Sequence, residues 1–144
     1  MPKNQCIDLA KKLIDCFNKD NPSDLNHFDK IINQNVKYHD IYFKNKPKNL
    51  TAFKDAEKDY ILAFPNKKTQ IDEVLSIEED KVLVRWTTSA THKGEYHGIP
   101  ATNKEVKISG LSVWQFENNQ LVEAWQSWDK LGLLEQLGAL HVHK

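Results

Sequence analysis

The sequence predicts an α+β fold, in which helices near the N-terminus pack on one face of a curved, mostly antiparallel sheet. Two observations lead to this prediction. Between Asn4 and Phe64, apolar side chains recur mainly at three- and four-residue steps, which is the spacing of amphipathic helices. From Thr69 the spacing changes to two, which is typical of strands with one buried face, and one helical segment follows the strands. Helices and strands that are segregated along a chain indicate the α+β class.

Helical spacing dominates the first part of the chain, with one extended segment. The first helix carries its apolar face between lysines and aspartates, and the third ends before Pro65 because proline disfavours helical conformation in the residue before it. Asn21-Pro22 is typical of a helix start. The predicted elements are a helix over Asn4–Asn18, a short helix carrying Leu25, Phe28, Ile31 and Ile32, a strand over Val36–Phe43, a polar loop over Lys44–Asn49 and a helix over Leu50–Phe64.

Alternation dominates the second part. Asn118-Asn119 separates the last two strands, and asparagine tolerates the positive φ angles of a tight hairpin turn. Asp129 is a predicted N-cap and Gly138 a predicted stop for the final helix. The predicted elements are strands over Thr69–Ile77, Val82–Thr91, Lys104–Phe116 and Gln120–Trp128, a loop over His92–Asn103 and a helix over Lys130–Leu137.

Composition narrows the classes of function. The chain has 144 residues, and we expect them to form one domain, residues 1–144. Twenty basic and twenty acidic residues cancel, so the clustered positive charge that a phosphate backbone requires is missing and no nucleic-acid partner is expected. The N-terminal segment lacks the apolar core of a signal peptide, and no run is long enough to span a membrane. We therefore expect a cytoplasmic protein with no membrane partner.

Several motifs carry a resemblance to a known family. They lie after the second helix, at the end of the third helix, before the longest strand and along the last strand and helix. The motifs are Tyr38-His39-Asp40, Ala63-Phe64-Pro65-Asn66, Gly98-Ile99-Pro100-Ala101-Thr102-Asn103-Lys104, Glu123-Ala124-Trp125 and, from Asp129, Leu131-Gly132-Leu133-Leu134-Glu135-Gln136-Leu137-Gly138. With these motifs the chain resembles the SnoaL-like polyketide cyclases, within the larger group that shares the nuclear transport factor 2-like cone fold.

The resemblance implies a sheet folded around a conical pocket, usually in a homodimer. For the founding members it also implies a cofactor-free intramolecular aldol ring closure on an aromatic polyketide ester. That reaction removes a proton beside a carbonyl and stabilises an enolate, which an acid/base group in an apolar pocket can do together with hydrogen-bond donors. No metal or other cofactor is expected.

This chain departs from the founding cyclases at the implied site. Their acid/base aspartate corresponds to Gln126, and an amide cannot transfer protons. A glutamine and a histidine on their preceding strand correspond to Gly110 and Ser112, and an asparagine corresponds to Tyr38. The scaffold is therefore retained while the catalytic set is changed.

Alternation sorts the side chains of the last two strands onto two faces. If Gln126 faces the pocket, its face includes the following residues: Val122, Ala124 and Trp128 on its own strand, and Ile108, Gly110, Ser112 and Trp114 on the neighbouring one. Leu111, Val113 and Trp125 then lie on the outer face, where a partner subunit or the chain's own terminus would cover them. Trp86, Trp114 and Trp128, with Tyr60, are candidates to line a site for a flat ligand, although such residues are also common in plain cores.

Five residues are candidates to transfer protons or to hold the substrate. His39 is a candidate general base, with Asp40 or Asp129 to orient it, although both aspartates also suit hydrogen-bonded loop and cap positions. Gln126 and Ser112 are candidates to hold a substrate carbonyl. His92 and His97 flank a short loop, but two histidines do not make a metal site, which needs three or four converging ligands. His141 and His143 are expected to lie in a frayed tail.

Two functions fit these observations. The first is a cyclase- or isomerase-type enzyme acting on an apolar or aromatic small molecule, with Gln126 in place of the usual aspartate. The second is a binding or carrier protein that uses the same pocket without chemistry. A weaker third option is a domain whose outer sheet face recruits another protein.

Overall fold

A computed structural model of the chain describes residues 3–19, 21–40, 42 and 49–140. The strands form one curved, unclosed sheet in the order β1-β5-β4-β3-β2, in which β1 pairs with β5 in parallel and every other pair is antiparallel. The elements are helices α1 (Lys3–Phe17), α2 (Leu50–Ala63) and α3 (Lys130–Gln136), and strands β1 (Ile32–His39), β2 (Lys68–Glu78), β3 (Lys81–Thr91), β4 (Glu105–Glu117) and β5 (Gln120–Trp128). The α+β prediction is confirmed.

The segment after α1 differs from the prediction. The expected second helix is a short 3-10 helix, Asn26–Lys30, and β1 begins at Ile32 rather than at Val36. Ile32 and Val36 are both buried, and Ile32 pairs with Leu121 of β5. Pairing with β5 therefore overrides the helical spacing of this segment. β1 ends at His39, and the described residues 40 and 42 are not part of it, so the strand predicted to Phe43 is too long at this end. Residues 41, 43 and 44–48 lie outside the described residues.

Local chemistry fixes the ends of the other elements much as the sequence predicts. Asn118 and Asn119 have φ angles of 51° and 64°, which the turn between β4 and β5 requires. The side chain of Asn49 accepts the Ala52 N–H at the start of α2. Asp129 accepts the Gly132 N–H at the start of α3, and Gly138, with φ 76°, follows that helix. His141 and His143 lie outside the described residues.

The core lies between the helices and the inner face of the sheet. One buried cluster joins α1, α2 and the middle of the sheet, and Phe28, Phe116 and Leu13 are its largest fully buried members. A second cluster lies under α3 and includes Phe64, Tyr96 and Leu133. Aromatic rings meet edge to face in the first cluster, where Phe28 lies 5.1 Å from Phe53 between ring centroids. The cavity described below opens between these two clusters.

Candidate active site

A cavity of about 160 Å³ lies between α1, α2 and the inner face of the sheet. Most of its wall is apolar, which is typical of small-molecule sites. Aromatic and aliphatic side chains from both clusters line it, among them Phe17, Phe53, Phe64, Trp86, Ile108, Trp114, Trp128 and Leu133. Its polar lining side chains from the described residues are Tyr38, Asn49, Glu57, Tyr60, Lys67, Thr69, Thr88, Ser112 and Gln126.

From Ala124 to Trp128, the inner and outer faces of β4 and β5 follow the predicted alternation. The prediction is wrong for Val122, because the register shifts before Glu123 and Leu121 is the residue that packs in the core. Ser112 and Gln126 are direct partners across the two strands, and both line the cavity. On the outer face, Val113 pairs with Trp125, and Leu111 is 47% exposed. All five predicted lining residues are at the cavity wall: Tyr60, Trp86, Ser112, Trp114 and Trp128.

Gln126 belongs to a chain of hydrogen bonds at one end of the cavity. Its amide oxygen accepts the Tyr38 hydroxyl at 2.8 Å, and its amide nitrogen donates to Asp40 Oδ2 at 2.9 Å. The indole N–H of Trp128 donates to the same carboxylate oxygen at 3.3 Å, and the Tyr42 N–H donates to Oδ1. Because its partners hold both ends of the amide, the orientation of Gln126 is fixed.

Asp40 is buried behind this end of the cavity. Its side chain is 3% exposed, and three donors converge on it. It is not among the described residues that line the cavity. Asp40 therefore acts on a cavity ligand only through Gln126 and Trp128, which it holds in place.

Two tyrosines bring neutral phenols to the cavity. Burial raises the pKa of the Tyr38 hydroxyl far above its usual range, and the negative charges of Asp40 and Glu57 add to the effect. Burial likewise raises the pKa of Tyr60, with a contribution from neighbouring Tyr96. Both phenols therefore keep their protons at neutral pH and can serve as hydrogen-bond donors.

Trp86 and Ser112 form a hydrogen bond in the cavity wall that the sheet provides. The indole N–H of Trp86 donates to Ser112 Oγ at 3.0 Å. Gly110 lies directly beneath the indole, and a Cβ added at Gly110 would lie 2.3 Å from a Trp86 ring carbon. A side chain at Gly110 is therefore incompatible with this position of the ring. The Ser112 oxygen is used as an acceptor, so its own O–H is left to donate.

His39 lies away from the cavity, contrary to its predicted role as a general base there. It pairs with Trp125 in the register of β1 and β5, and its ring stacks on that indole at 5.3 Å between centroids, on the outer face. Its Nε2 lies 2.7 Å from a Glu123 carboxylate oxygen, and its side chain is 42% exposed. The alternation of β1 explains this position, because Tyr38 next to it faces inward.

Asp129 is also separate from the cavity. Its carboxylate accepts the Gly132 N–H at 2.8 Å as the N-cap of α3, and the residue is exposed. The structure therefore brings Gln126 and Asp40 together, with Tyr38 and Trp128, but brings neither His39 nor Asp129 to this group.

Glu57 and Lys67 line the cavity, although neither was predicted. Lys67 Nζ lies 2.6 Å from Glu57 Oε1 and donates to the Phe17 carbonyl at 2.8 Å. Both side chains are buried. A sequence signal existed for Glu57, since it lies four residues from both Phe53 and Ile61 on the buried face of α2. No comparable signal existed for Lys67, which follows the helix.

The histidines of the loop after β3 do not form a metal site. His92 is fully buried, and its Nδ1 accepts the Thr102 N–H at 3.2 Å, while His97 is exposed. The described part of the chain contains no group of three or more His, Cys, Asp or Glu side chains arranged to hold a metal ion. His92 instead fixes the course of the loop.

Among the helices of the described residues, none has the length and apolar character that a membrane span requires.

Comparison with known proteins gives a family match and close structural matches. The family model described as SnoaL-like polyketide cyclase matches residues 7–137. No curated protein matches the chain.

Three solved structures illustrate the similarity of fold. A protein from Acidithiobacillus ferrooxidans, provisionally assigned as a polyketide cyclase, is 28% identical, with 93% of this chain and 94% of that chain covered and a TM-score of 0.80. TsrD from Streptomyces laurentii is 21% identical over 97% of this chain and 99% of that chain, with a TM-score of 0.82. AclR from Streptomyces galilaeus, provisionally assigned as a hydroxylase, is 22% identical over 99% of this chain and 90% of that chain, with a TM-score of 0.83.

Proposed function

The chain belongs to the SnoaL-like polyketide cyclase family, and from this premise we propose that it is a small-molecule enzyme of the cyclase or isomerase type. It binds an apolar or aromatic carbonyl compound in the cavity and transfers protons without a cofactor. The observation that carries the proposal is a mostly apolar cavity with two hydrogen-bond donors side by side on one wall and a carboxylate on another.

Ser112 and Gln126 are the proposed carbonyl site. Side chains of directly opposed residues in an antiparallel pair lie about 5 Å apart at Cβ, so both can reach one oxygen atom. The Ser112 O–H is left to donate because its oxygen accepts from Trp86. The amide nitrogen of Gln126 has a second N–H besides the one given to Asp40. Two fixed donors stabilise the negative charge that develops on a carbonyl oxygen when a neighbouring carbon loses a proton.

Gln126 then has a different role from the aspartate that the founding cyclases have at the corresponding position. An amide donates hydrogen bonds but cannot take up a proton. Asp40 is a positioning residue in this proposal, because it holds the Gln126 amide and the Trp128 indole. His39 and Asp129 have no part in the reaction, since one lies on the outer face of the sheet and the other caps α3.

The proposed activity is tested with α-tetralone, a bicyclic aryl ketone, as a probe. The protein is incubated with the ketone in buffered D₂O, and exchange of the hydrogens beside the carbonyl is followed by proton NMR. We expect the protein to accelerate this exchange above the buffer rate. A protein that binds α-tetralone, as measured by quenching of tryptophan fluorescence, without accelerating exchange is not an enzyme of this type.

A binding or carrier protein is the second candidate, and one observation favours it. The position of the family's acid/base aspartate is occupied by an amide whose two ends are both engaged within the protein. A carrier needs the apolar cavity and the donors but no proton acceptor. Binding without exchange in the α-tetralone experiment is the result that this candidate predicts.

We also propose that a second copy of the chain covers the outer face of the sheet. Apolar side chains form a continuous row across four strands there, because Leu75 pairs with Leu83, Leu83 with Val113 and Val113 with Trp125. Leu75 and Leu111 on this face are about half exposed, at 47% each. A two-fold dimer buries the same row on both subunits and leaves the cavity, on the opposite face, accessible.

The cytoplasm is the proposed location of the protein. The support comes from Cys6 and Cys16, the two cysteines of the chain, which both lie on α1 and form no disulfide with each other. Thiols stay reduced in that compartment, whereas secreted proteins commonly form disulfides. Cell fractionation with an antibody to the protein tests this location.

A further inference from the structure

Glu57 and Lys67 form a buried ion pair in the cavity wall formed by α2 and the residues after it, away from the sheet. The two residues are 7% and 8% exposed. Removing charges from water is costly, and a stable fold more often uses apolar residues at such positions. A charge pair that faces an apolar cavity therefore needs a reason beyond packing.

Glu57 is the only carboxylate among the described residues that line this cavity. The other carboxylates considered for chemistry are engaged elsewhere. Asp40 accepts three hydrogen bonds behind the wall, Asp129 caps α3, and Glu123 contacts His39 on the outer face. A proton acceptor with direct access to a bound molecule is therefore available only at Glu57 within the described part of the chain.

The ion pair leaves half of the Glu57 carboxylate available. Lys67 Nζ contacts Oε1, and that contact is an ion pair rather than a well-aligned hydrogen bond, so Oε2 is the oxygen left to take up a proton. Lys67 is itself held by the Phe17 carbonyl, so the pair fixes where the carboxylate points. The pair and the proposed carbonyl site line the same cavity, as does Tyr38, which donates to Gln126.

We propose that Glu57 is the catalytic proton acceptor of this cavity, with Lys67 as its positioning residue and an aryl ketone or similar carbon acid as the substrate class. This inference rests on the proposed function. The C–H bond beside the bound carbonyl breaks, its proton binds Glu57 Oε2, and the electron pair moves onto the carbonyl oxygen as an enolate held by Ser112 and Gln126. Glu57 later returns the proton to the product, so that no other reactant is consumed.

A purely structural role for the pair makes a different prediction. Lys67 would then serve to bond the carbonyl of Phe17 at the end of α1, and Glu57 would serve to neutralise Lys67. In that case a neutral residue at Glu57 changes stability and leaves the binding of an enolate mimic unaffected.

The experiment compares wild type with Glu57→Gln for binding of 1-naphtholate, a flat oxyanion that resembles an enolate. Calorimetric titration is done above the pKa of 1-naphthol, with 1-methoxynaphthalene as the uncharged ligand. Glutamine mimics the protonated glutamic acid that accompanies the enolate in the proposed step. We expect Glu57→Gln to bind 1-naphtholate about tenfold more tightly than wild type, because the substitution removes the repulsion between the Glu57 carboxylate and the bound oxyanion, and a tenfold change corresponds to about one pKa unit. Both proteins should bind 1-methoxynaphthalene with the same affinity.

Asp55→Asn is the matched control, because Asp55 is an exposed carboxylate on the same helix. It should leave both affinities unchanged. If Glu57→Gln and Asp55→Asn have the same 1-naphtholate affinity, the proposed role of Glu57 is overturned. If Glu57→Gln fails to fold, Glu57→Asp, which withdraws the carboxylate by one methylene, should keep the wild-type naphtholate affinity and lose exchange of α-tetralone. Full exchange in that variant also overturns the proposal.

The exchange experiment separates this inference from the proposed function. Loss of general base catalysis commonly costs about 10²- to 10⁴-fold, so we expect α-tetralone exchange to fall at least about 100-fold in Glu57→Gln while the ketone still binds. Exchange by wild type that persists in Glu57→Gln overturns the inference and leaves the proposed function in place. Binding by wild type without exchange overturns the proposed function, and the naphtholate comparison still decides whether Glu57 faces the ligand.

Discussion

Gly110 and Trp86 are adjacent across β3 and β4 and depend on each other. The indole lies where a Cβ at position 110 would be, at 2.3 Å from a ring carbon, and its N–H fixes Ser112. Gly110 thus makes room for the aromatic wall of the cavity.

We predict that Gly110→Ala lowers the free energy of unfolding by about 1–3 kcal/mol, because the new methyl group forces the Trp86 ring out of its position. Chemical denaturation measures this change. In a Trp86→Ala background, which removes the ring, the same substitution should cost much less. An equal cost in both backgrounds would show that the ring is not the cause.

Some residues of the site could be predicted from the sequence and others could not. The family resemblance placed Gln126 and Ser112 at the pocket, and alternation then sorted their neighbours. Alternation counted from the Asn118-Asn119 turn would instead pair Gln126 with Leu111, because the register of β4 and β5 shifts between Gln115 and Phe116. Glu57 was missed because a helical face is recognised by its apolar members, and a buried charge on that face becomes visible only when its partner is known. Lys67 is that partner, and it lies beyond the end of the helix.

Among the elements, α3 is the one whose N-cap, Asp129, was a candidate catalytic residue, and the structure shows that its carboxylate binds the backbone of that helix. Asp129 accepts the Gly132 N–H at 2.8 Å and is exposed. Asp129→Ala should therefore lower the free energy of unfolding by about 1 kcal/mol, the usual effect of losing an N-cap. It should leave the affinity for α-tetralone unchanged. Thermal unfolding and fluorescence titration check the two expectations, and a large loss of affinity at unchanged stability would contradict the cap role.

Element boundaries were predicted well where local chemistry determines them and poorly where pairing does. Pro65, the Asn118-Asn119 turn and Gly138 mark boundaries through their own backbone preferences. The start of β1 has no such marker. Ile32 extends as a strand because Leu121 of β5, far along the chain, is beside it.

At the scale of the whole molecule, the buried tyrosines of the cavity make the free energy of unfolding depend on pH. The pKa of Tyr38 and of Tyr60 lies far above the usual 10.0. Below pH 10 the phenols are protonated in both the folded and the unfolded chain, so this contribution is fully present. As pH rises above 10 the unfolded chain releases these protons and the folded chain keeps them, so stability falls.

We predict that each of these tyrosines adds about 1.4 kcal/mol per pH unit to the alkaline loss of stability, starting near pH 10. Tyr38→Phe should reduce the slope of the unfolding free energy against pH by the amount expected for one proton. Urea denaturation at several pH values between neutral and alkaline measures both slopes. Equal slopes would contradict burial of an un-ionised Tyr38.

The outer face of the sheet is the second whole-molecule feature that can be tested. Leu111 lies on it and is about half exposed in the single chain. If a second copy covers this face, Leu111→Lys places a charge in the interface and should convert the dimer to a monomer. Light scattering coupled to size-exclusion chromatography measures the mass of both proteins. A wild-type monomer at micromolar concentration would contradict the dimer, as would a dimer that Leu111→Lys leaves intact.

The cavity as a whole was predictable only in outline. The sequence indicated an aromatic site beside the last two strands, and the family resemblance implied a conical pocket. The second polar wall depends on how α1, α2 and Lys67, four residues beyond the end of α2, pack together. Short-range patterns in the sequence carry no information about that packing. The ion pair of Glu57 and Lys67 in this wall could therefore not be predicted from the sequence.

The most direct test of the central claim is the infrared spectrum of α-tetralone, labelled with ¹³C at the carbonyl, when it is bound to the protein. If Ser112 and Gln126 donate to the carbonyl oxygen, the carbonyl stretch should lie at lower frequency than in cyclohexane, and Ser112→Ala and Gln126→Met should each remove part of that shift. A bound carbonyl that absorbs at its cyclohexane frequency in all three proteins would contradict the account.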